Sequence, residues 1–213
     1  MKRNYPPRLL VTLLSLPLLA IAGADDGAVK ARLVTDDSPE TADIRKLGED
    51  AINRLATTLV REVTAAMAKE GPAAAVDSCH LKAVPLTNGT VAGLPRIVAM
   101  KRTSLKLRSP ANAPDAAEKL VLDHIQQLLD YGDPPPPLLV QRVETPGATP
   151  EWRVYKPIGM MPKCLACHGD PEGQPDALRA KLAERYPGDQ ATGYNTGEWR
   201  GLIRVTVADA PSK

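Results

Sequence analysis

Phenylalanine is absent from the chain, and aromatic side chains of any kind make up only 3% of its 213 residues. The interior must therefore be packed by Ala, Leu and Val rather than by rings. Cysteine is scarce as well. Three are present, an odd number, and two of them sit close together, which leaves Cys79 without an obvious partner. No internal repeat is visible, and the four prolines Pro134 to Pro137 form the one low-complexity segment. They read as a stiff extended linker. The length suits one domain plus a targeting segment.

The long apolar runs of a membrane protein are missing too. One run, Leu9 to Ile21, is interrupted by Pro17 and is too short to span a bilayer comfortably. Lys2, Arg3 and Arg8 precede it, and Ala22-Gly23-Ala24 follows as a small-x-small cleavage pattern. Residues 1–24 are thus expected to be a signal peptide cleaved before Asp25, with the periplasm as destination and no membrane attachment afterwards. Its removal changes the charge. Of the 27 Lys and Arg, three lie in residues 1–24, which hold no Asp or Glu; the remaining 24 face 25 acids, a net of −1. No basic stripe is left to argue for nucleic acid.

The rest of the chain reads as helices first and strands later. Residues 25–38 are polar and mixed, and are expected to form a flexible arm ahead of one domain over 39–213. Ser38 and Pro39 suit the start of a helix. Ile44, Leu47, Ala51, Leu55, Leu59, Val63 and Met67 give it one apolar face. Gly71-Pro72 should stop it, and a short second helix from Ala73 to about Lys82 carries Cys79 and His80. Residues 94–103 read as a strand and 104–115 as a loop. Asp115 can cap a helix from Ala116 to about Tyr131, with Leu120, Val121, Ile125, Leu128 and Leu129 as its stripe. Leu138–Glu144 and Trp152–Ile158 resemble a strand pair turned at Pro146-Gly147. A helix over Asp176–Arg185 and a final strand over Trp199–Ala208 complete an α+β pattern around an antiparallel sheet.

One short motif carries chemistry. Cys164-Leu165-Ala166-Cys167-His168 is C-x-x-C-H, the attachment pattern of c-type haem. Two thiols at this spacing add across the two haem vinyl groups, and the adjacent His supplies the proximal nitrogen to iron. Export agrees with this reading, and a bulky apolar cofactor would fill volume that the missing rings leave. A redox disulfide would be expected in a thioredoxin-like βαβ unit, which is not seen. A zinc site could be completed by Cys79 and His80. For the second axial position the candidates are Cys79, His80, His124, Met100, Met160 and Met161. The methionines read by default as core filling, and His124 as a solvated residue. Cys79 is a lone thiol in an oxidising compartment, a liability unless buried or bound.

Four stretches, taken in order and spacing, resemble the PAS-like c-type haem domain family: AAAVDSC at 73–79, KRTSLKLRSPANAPD at 101–115 followed by Glu118, CLACHG at 164–169, and YPGDQATGYNTGEWRGLIRV at 186–205. That family occurs as stand-alone exported proteins and as sensory parts of bacterial kinases and chemoreceptors. The resemblance implies a PAS-like sheet with flanking helices and a long N-terminal helix. It also implies that Cys79 matches a family cysteine able to ligate iron opposite His168. Ser109 and Ala117 depart from the family pattern. Arg102, Lys106 and Arg108 alternate as on one side of a strand and are candidate partners for the haem propionates, with an exposed strand face as the plainer reading. Trp152, Tyr155, Tyr194 and Trp199 are candidates for the pocket wall, with core packing as the default.

These features point to a single-haem, redox- or ligand-responsive protein, not an enzyme. A redox or signalling protein partner is expected, and a small ligand such as NO or CO. The rivals are an electron-transfer cytochrome, a peroxidase-like enzyme with His80 as its acid–base group, and a zinc-stabilised binding module.

Overall fold

The computed structural model describes residues 28–209, with the side chains at 78–86, 88, 90 and 91 outside the description. The expected signal peptide, residues 1–24, lies outside the described residues, as do the side chains of Cys79 and His80. Among the described residues, no helix is long and apolar enough to cross a membrane.

Helix α1 (Pro39–Val91) starts where Ser38 predicts, its Oγ accepting the Thr41 N–H at 3.3 Å, with Pro39 in the first turn. Gly71 breaks the run at φ 78°, ψ 171°, a conformation that only glycine adopts at low cost. The sequence expects a stop here. The chain turns there and resumes as the expected second helical stretch, which runs on to Val91, well past the expected end near Lys82. Strand β2 (Ile97–Thr103) begins three residues later than expected. Arg96, in the left-handed region at φ 63°, turns the backbone just before it. Its guanidinium donates to the Ala208 carbonyl at 3.1 Å and pairs with Asp43 at 2.6 Å, which offsets the strained backbone.

The expected arm contains a strand. Strand β1 (Lys30–Val34) pairs antiparallel with β3 (Leu139–Glu144), from Lys30 opposite Glu144 to Val34 opposite Val140. Five mixed residues are too few to signal a strand alone; the free edge of β3 supplies the hydrogen bonds that order them. Strands β3 and β4 (Glu151–Gly159) form the expected hairpin, and β5 (Trp199–Ala208) pairs with both β4 and β2. The sheet order is β1-β3-β4-β5-β2, antiparallel throughout. The fold is α+β, as the pattern of elements implied.

Strand alternation divides the core between two faces. On one face α1 packs Ile44, Ala51, Ile52 and Leu55 against Trp152, Val154, Ile203 and Val205. On the other, α2 (Ala116–Asp130) packs Val121, Leu122 and Ile125 against Leu139, Tyr155 and Leu202. The α2 stripe is therefore rotated slightly from the expected one: Leu122 is buried and Leu120 is exposed. Asp115 does cap this helix, in a reciprocal capping box with Glu118.

Candidate functional site

The C-x-x-C-H motif follows β4. Gly159 ends the strand, and the Met160 N–H donates to the Glu198 carbonyl at 2.9 Å while Gly197 N–H returns to Met160 at 2.8 Å. These bonds tie the motif's entry to the start of β5. A 3-10 turn (Pro162–Cys164) then leads into a one-turn helix, α3 (Leu165–His168). Gly169 ends it, with its N–H on the Leu165 carbonyl at 2.8 Å; a Cβ at this position would lie 2.7 Å from that oxygen. The glycine after the motif histidine is thus required by a close backbone approach.

Cys164, Cys167 and His168 all reach the wall of one cavity of about 310 Å³, between α1 and the α1-facing side of the sheet. This lies within the usual size range of small-molecule sites. The apolar stripe of α1 that packs the core continues along this cavity through Leu59, Val63 and Met67, and Ala75 and Val76 continue it past the Gly71 break. Tyr186 and Leu182 close the side near α4 (Asp176–Arg185). Both motif cysteines are free thiols. Among the described residues, no group of three or more His, Cys, Asp or Glu converges as a metal-chelating cluster. The two thiols and the imidazole therefore line a wall without forming a chelate. A zinc site would need Cys79 or His80, whose side chains lie outside the described residues.

His168 is oriented by backbone. Its Nδ1 lies 2.7 Å from the Ala191 carbonyl, so Nδ1 carries the proton and donates it, and Nε2 keeps its lone pair. Burial, followed by the nearby Arg108 charge, lowers its pKa to about 3, despite the opposing hydrogen bond to Ala191. The ring is neutral at ordinary pH, the form in which a histidine ligates metal.

The basic loop is divided by the fold. Arg102 lines the cavity. Arg108 also lines it but spans inward to the motif: Nη1 lies 3.4 Å from His168 Nε2, Nη2 donates to the Cys167 carbonyl at 2.5 Å, and Nε pairs with Asp189 at 2.9 Å. Lys106 is not brought to the cavity wall. Its ammonium donates to the Thr192 carbonyl at 2.8 Å and sits 4.3 Å above the Tyr194 ring. The alternation that put these three on one side does not hold, because β2 ends at Thr103 and the loop turns at Ser104.

Arg200 is missed by sequence reasoning, where it is an ordinary strand residue. It lines the cavity near the start of β5, held by Ser104 Oγ at 2.7 Å and the Lys106 carbonyl at 2.9 Å. Burial lowers its pKa from the usual arginine value. With Arg102, Arg108 and Lys163 it gives the wall four cationic side chains, and the described lining contains no Asp or Glu. Such a wall favours an anionic ligand.

The remaining candidates are scattered. Met100 is buried in the core beneath α1, and His124 sits on α2 across the sheet. Met160 and Met161 both line the cavity, Met160 buried against Ala191 and Tyr194 and Met161 exposed. Met67, read from the sequence only as part of a helix face, also lines it. Trp152 and Tyr155 belong to the two core faces, Trp199 packs at the margin of the α2 face, and Tyr194 is buried in a separate cluster with Met160 and Ala191; none of the four is on the cavity wall.

Comparison with known proteins places this geometry in context. A family model described as Tll0287-like matches residues 28–208. The crystal structure of the cyanobacterial haem protein Tll0287 aligns with 83% of this chain and 99% of its own, at a TM-score of 0.53 and 21% identity, a likeness of fold. No curated protein matches the chain.

Proposed function

The chain belongs to the Tll0287-like family, and from that premise we propose that it carries one covalent haem c on Cys164 and Cys167, with His168 as proximal ligand. The related crystal structure is of a haem protein. The observation that carries the reading is one cavity whose wall holds both motif thiols, a neutral imidazole with its Nε2 lone pair free of a proton, and four cations without a carboxylate. Those residues fit the group: thiols for the vinyl carbons, imidazole for iron, an apolar helix face for the macrocycle, and guanidinium groups for the two propionates.

Haem held there supplies one-electron chemistry and an iron able to take a small ligand such as NO or CO. The chain's own residues set the terms. Cys164 and Cys167 anchor one edge through the short helix α3. Ala191 holds the His168 ring by its Nδ1 proton. Arg102, already a candidate from the sequence, and Arg200, in place of Lys106, face the cavity as propionate partners. Cys79 would be the further ligand to the iron that the family resemblance implies. Position 79 lies one helical turn after Ala75 and Val76, both of which are on the cavity wall. A thiolate from Cys79 would donate electron density to the iron and so favour a low, redox-sensitive potential. That behaviour suits an exported redox or ligand sensor acting through a protein partner, with no catalytic group of its own.

A second reading, an electron-transfer cytochrome, draws on Met67 and Met160, which put thioethers on the same wall. One experiment separates the two. The full chain is produced in a strain that matures c-type cytochromes, and the periplasmic fraction is examined for wild type and Cys79→Ala. A Soret band surviving acid–acetone extraction, on a chain whose mass begins at Asp25, is the expected result. A band shifted by Cys79→Ala supports the sensor reading. An unshifted band moves the assignment to a methionine-ligated carrier, and absence of any Soret band overturns haem attachment altogether.

A further inference from the structure

Asp189 lies outside the cavity wall, yet both hydrogen bonds of its carboxylate lead toward the motif histidine. Its Oδ1 accepts the Ala191 N–H at 2.8 Å, and its Oδ2 pairs with Arg108 Nε at 2.9 Å. Both side chains are largely buried, at 10% and 14% exposure, so the pair is poorly screened by solvent. Arg108 Nη2 donates to the Cys167 carbonyl at 2.5 Å and the Ala191 carbonyl at 3.3 Å, and its Nη1 lies 3.4 Å from His168 Nε2, so the guanidinium also faces the lone pair directly. The Ala191 carbonyl is the same group that accepts the His168 Nδ1 proton. Neighbouring backbone bonds close the loop against the motif: Gly193 N–H to Gly169, Tyr194 N–H to His168, and Gln190 N–H to Leu107. Three separate stretches, 107–108, 167–169 and 189–194, are thus joined by backbone hydrogen bonds and by one buried ion pair.

We propose that the Asp189–Arg108 pair is a positioning clasp that fixes the tautomer and ring orientation of His168, and through it the strength with which the imidazole binds iron. This inference rests on the haem reading above. Asp189 sets the 189–191 turn, and the turn presents the Ala191 carbonyl to Nδ1. Arg108 bridges that carbonyl to Cys167, so the carbonyl, the motif helix and the imidazole move as one unit. Groups one shell out from a metal ligand commonly change metal affinity 10- to 100-fold when removed. A strong Nδ1–H bond makes the imidazole a better donor and favours the ferric state. Loosening the clasp therefore raises the midpoint potential.

The test uses Asp189→Asn, which keeps an acceptor for the Ala191 N–H but loses the charge, and Arg108→Lys, which keeps the charge but loses the fork. In the haem-loaded full chain both variants are expected to lower the iron–histidine stretching frequency in the ferrous resonance Raman spectrum. Both should also raise the midpoint, by about 59 mV for each tenfold weakening of ferric relative to ferrous binding. A variant that retains haem, with its iron–histidine band and midpoint unchanged, overturns the proposal. A second measurement stands apart from haem loading: imidazole nitrogen-15 NMR of the haem-free full chain. A single Nδ1-protonated tautomer of His168 in wild type, becoming mixed in Asp189→Asn, supports the clasp, and an unchanged tautomer sinks it. Failure of the wild type to take up haem counts against the proposed function and leaves the NMR result to decide the clasp.

Discussion

Gly48 and Gly71 lie in the same helix, and each is required for a different reason. A Cβ at Gly48 would come within 2.4 Å of Val154, which is fully buried on a strand in the middle of the sheet. Gly48→Ala is expected to cost about 1–3 kcal/mol by overpacking, measured as a fall in urea midpoint. Val154→Ala in the same chain should recover part of that loss, a coupling that only contact produces. A Cβ at Gly71 would meet nothing within 4 Å, but the backbone there has a φ of 78°. Gly71→Ala should likewise cost about 1–3 kcal/mol, here as backbone strain, and no substitution of a neighbour should relieve it. The two residues differ in legibility. Gly71 precedes Pro72 and reads at once as a helix break. Gly48 reads as an unremarkable helix residue, since the strand that crowds it lies more than a hundred residues away. His168 shows the same contrast: the motif names it, but its partner is a backbone carbonyl, which every residue carries.

At the scale of elements, the α1 stripe was readable and its division of labour was not. The first turns, Ile44 to Leu55, bury against the sheet; the later ones, Leu59 to Met67, face the cavity. Beyond Gly71 the helix is held to α4 by Val76 against Leu178 and Leu182, and by Asp77 pairing with Arg185 and Lys181. Helix α2 was readable from its cap. Burial pushes the Asp115 carboxyl upward, but the hydrogen bond from Glu118 N–H and the Arg153 charge outweigh it and hold its pKa below the ordinary value of 3.8. A depressed carboxylate contributes stability that is fully present above the unfolded value and is lost as pH falls through the folded one. The stability difference between wild type and Asp115→Asn, followed by urea unfolding, should therefore be constant at neutral pH and shrink below about pH 4.

Across the whole molecule, the two faces of the sheet are joined to their helices differently. The centre of the α1 face is apolar, and the polar links to α1, from Lys156 to Asn53 and from Arg96 to Asp43, are more exposed. Beneath α2, Glu118 is fully buried, 2.7 Å from Lys101 on β2 and 3.4 Å from Arg204 on β5. Glu118→Ala would leave two cations without their shared carboxylate and should destabilise the protein by about 3–5 kcal/mol, read from urea unfolding. Glu118→Gln should recover the shape but not the charge pairing, and fall between the two.

What the sequence by itself determined was local: the helices and their starts, the β3–β4 hairpin, the α+β class, the C-x-x-C-H motif and the family seen in four stretches. Periodicity, caps and short motifs depend on residues close in the chain, so they can be read there. Only the tertiary structure decided that residues 30–34 pair as an edge strand, that Lys106 turns to Thr192 and Tyr194, and that Arg200 takes its place on the cavity wall. It also joined Asp189 and Arg108 to His168. Those outcomes depend on which strand offers a free edge, where a loop leaves the sheet, and which distant backbone groups need a partner once buried, and a linear pattern carries none of the three.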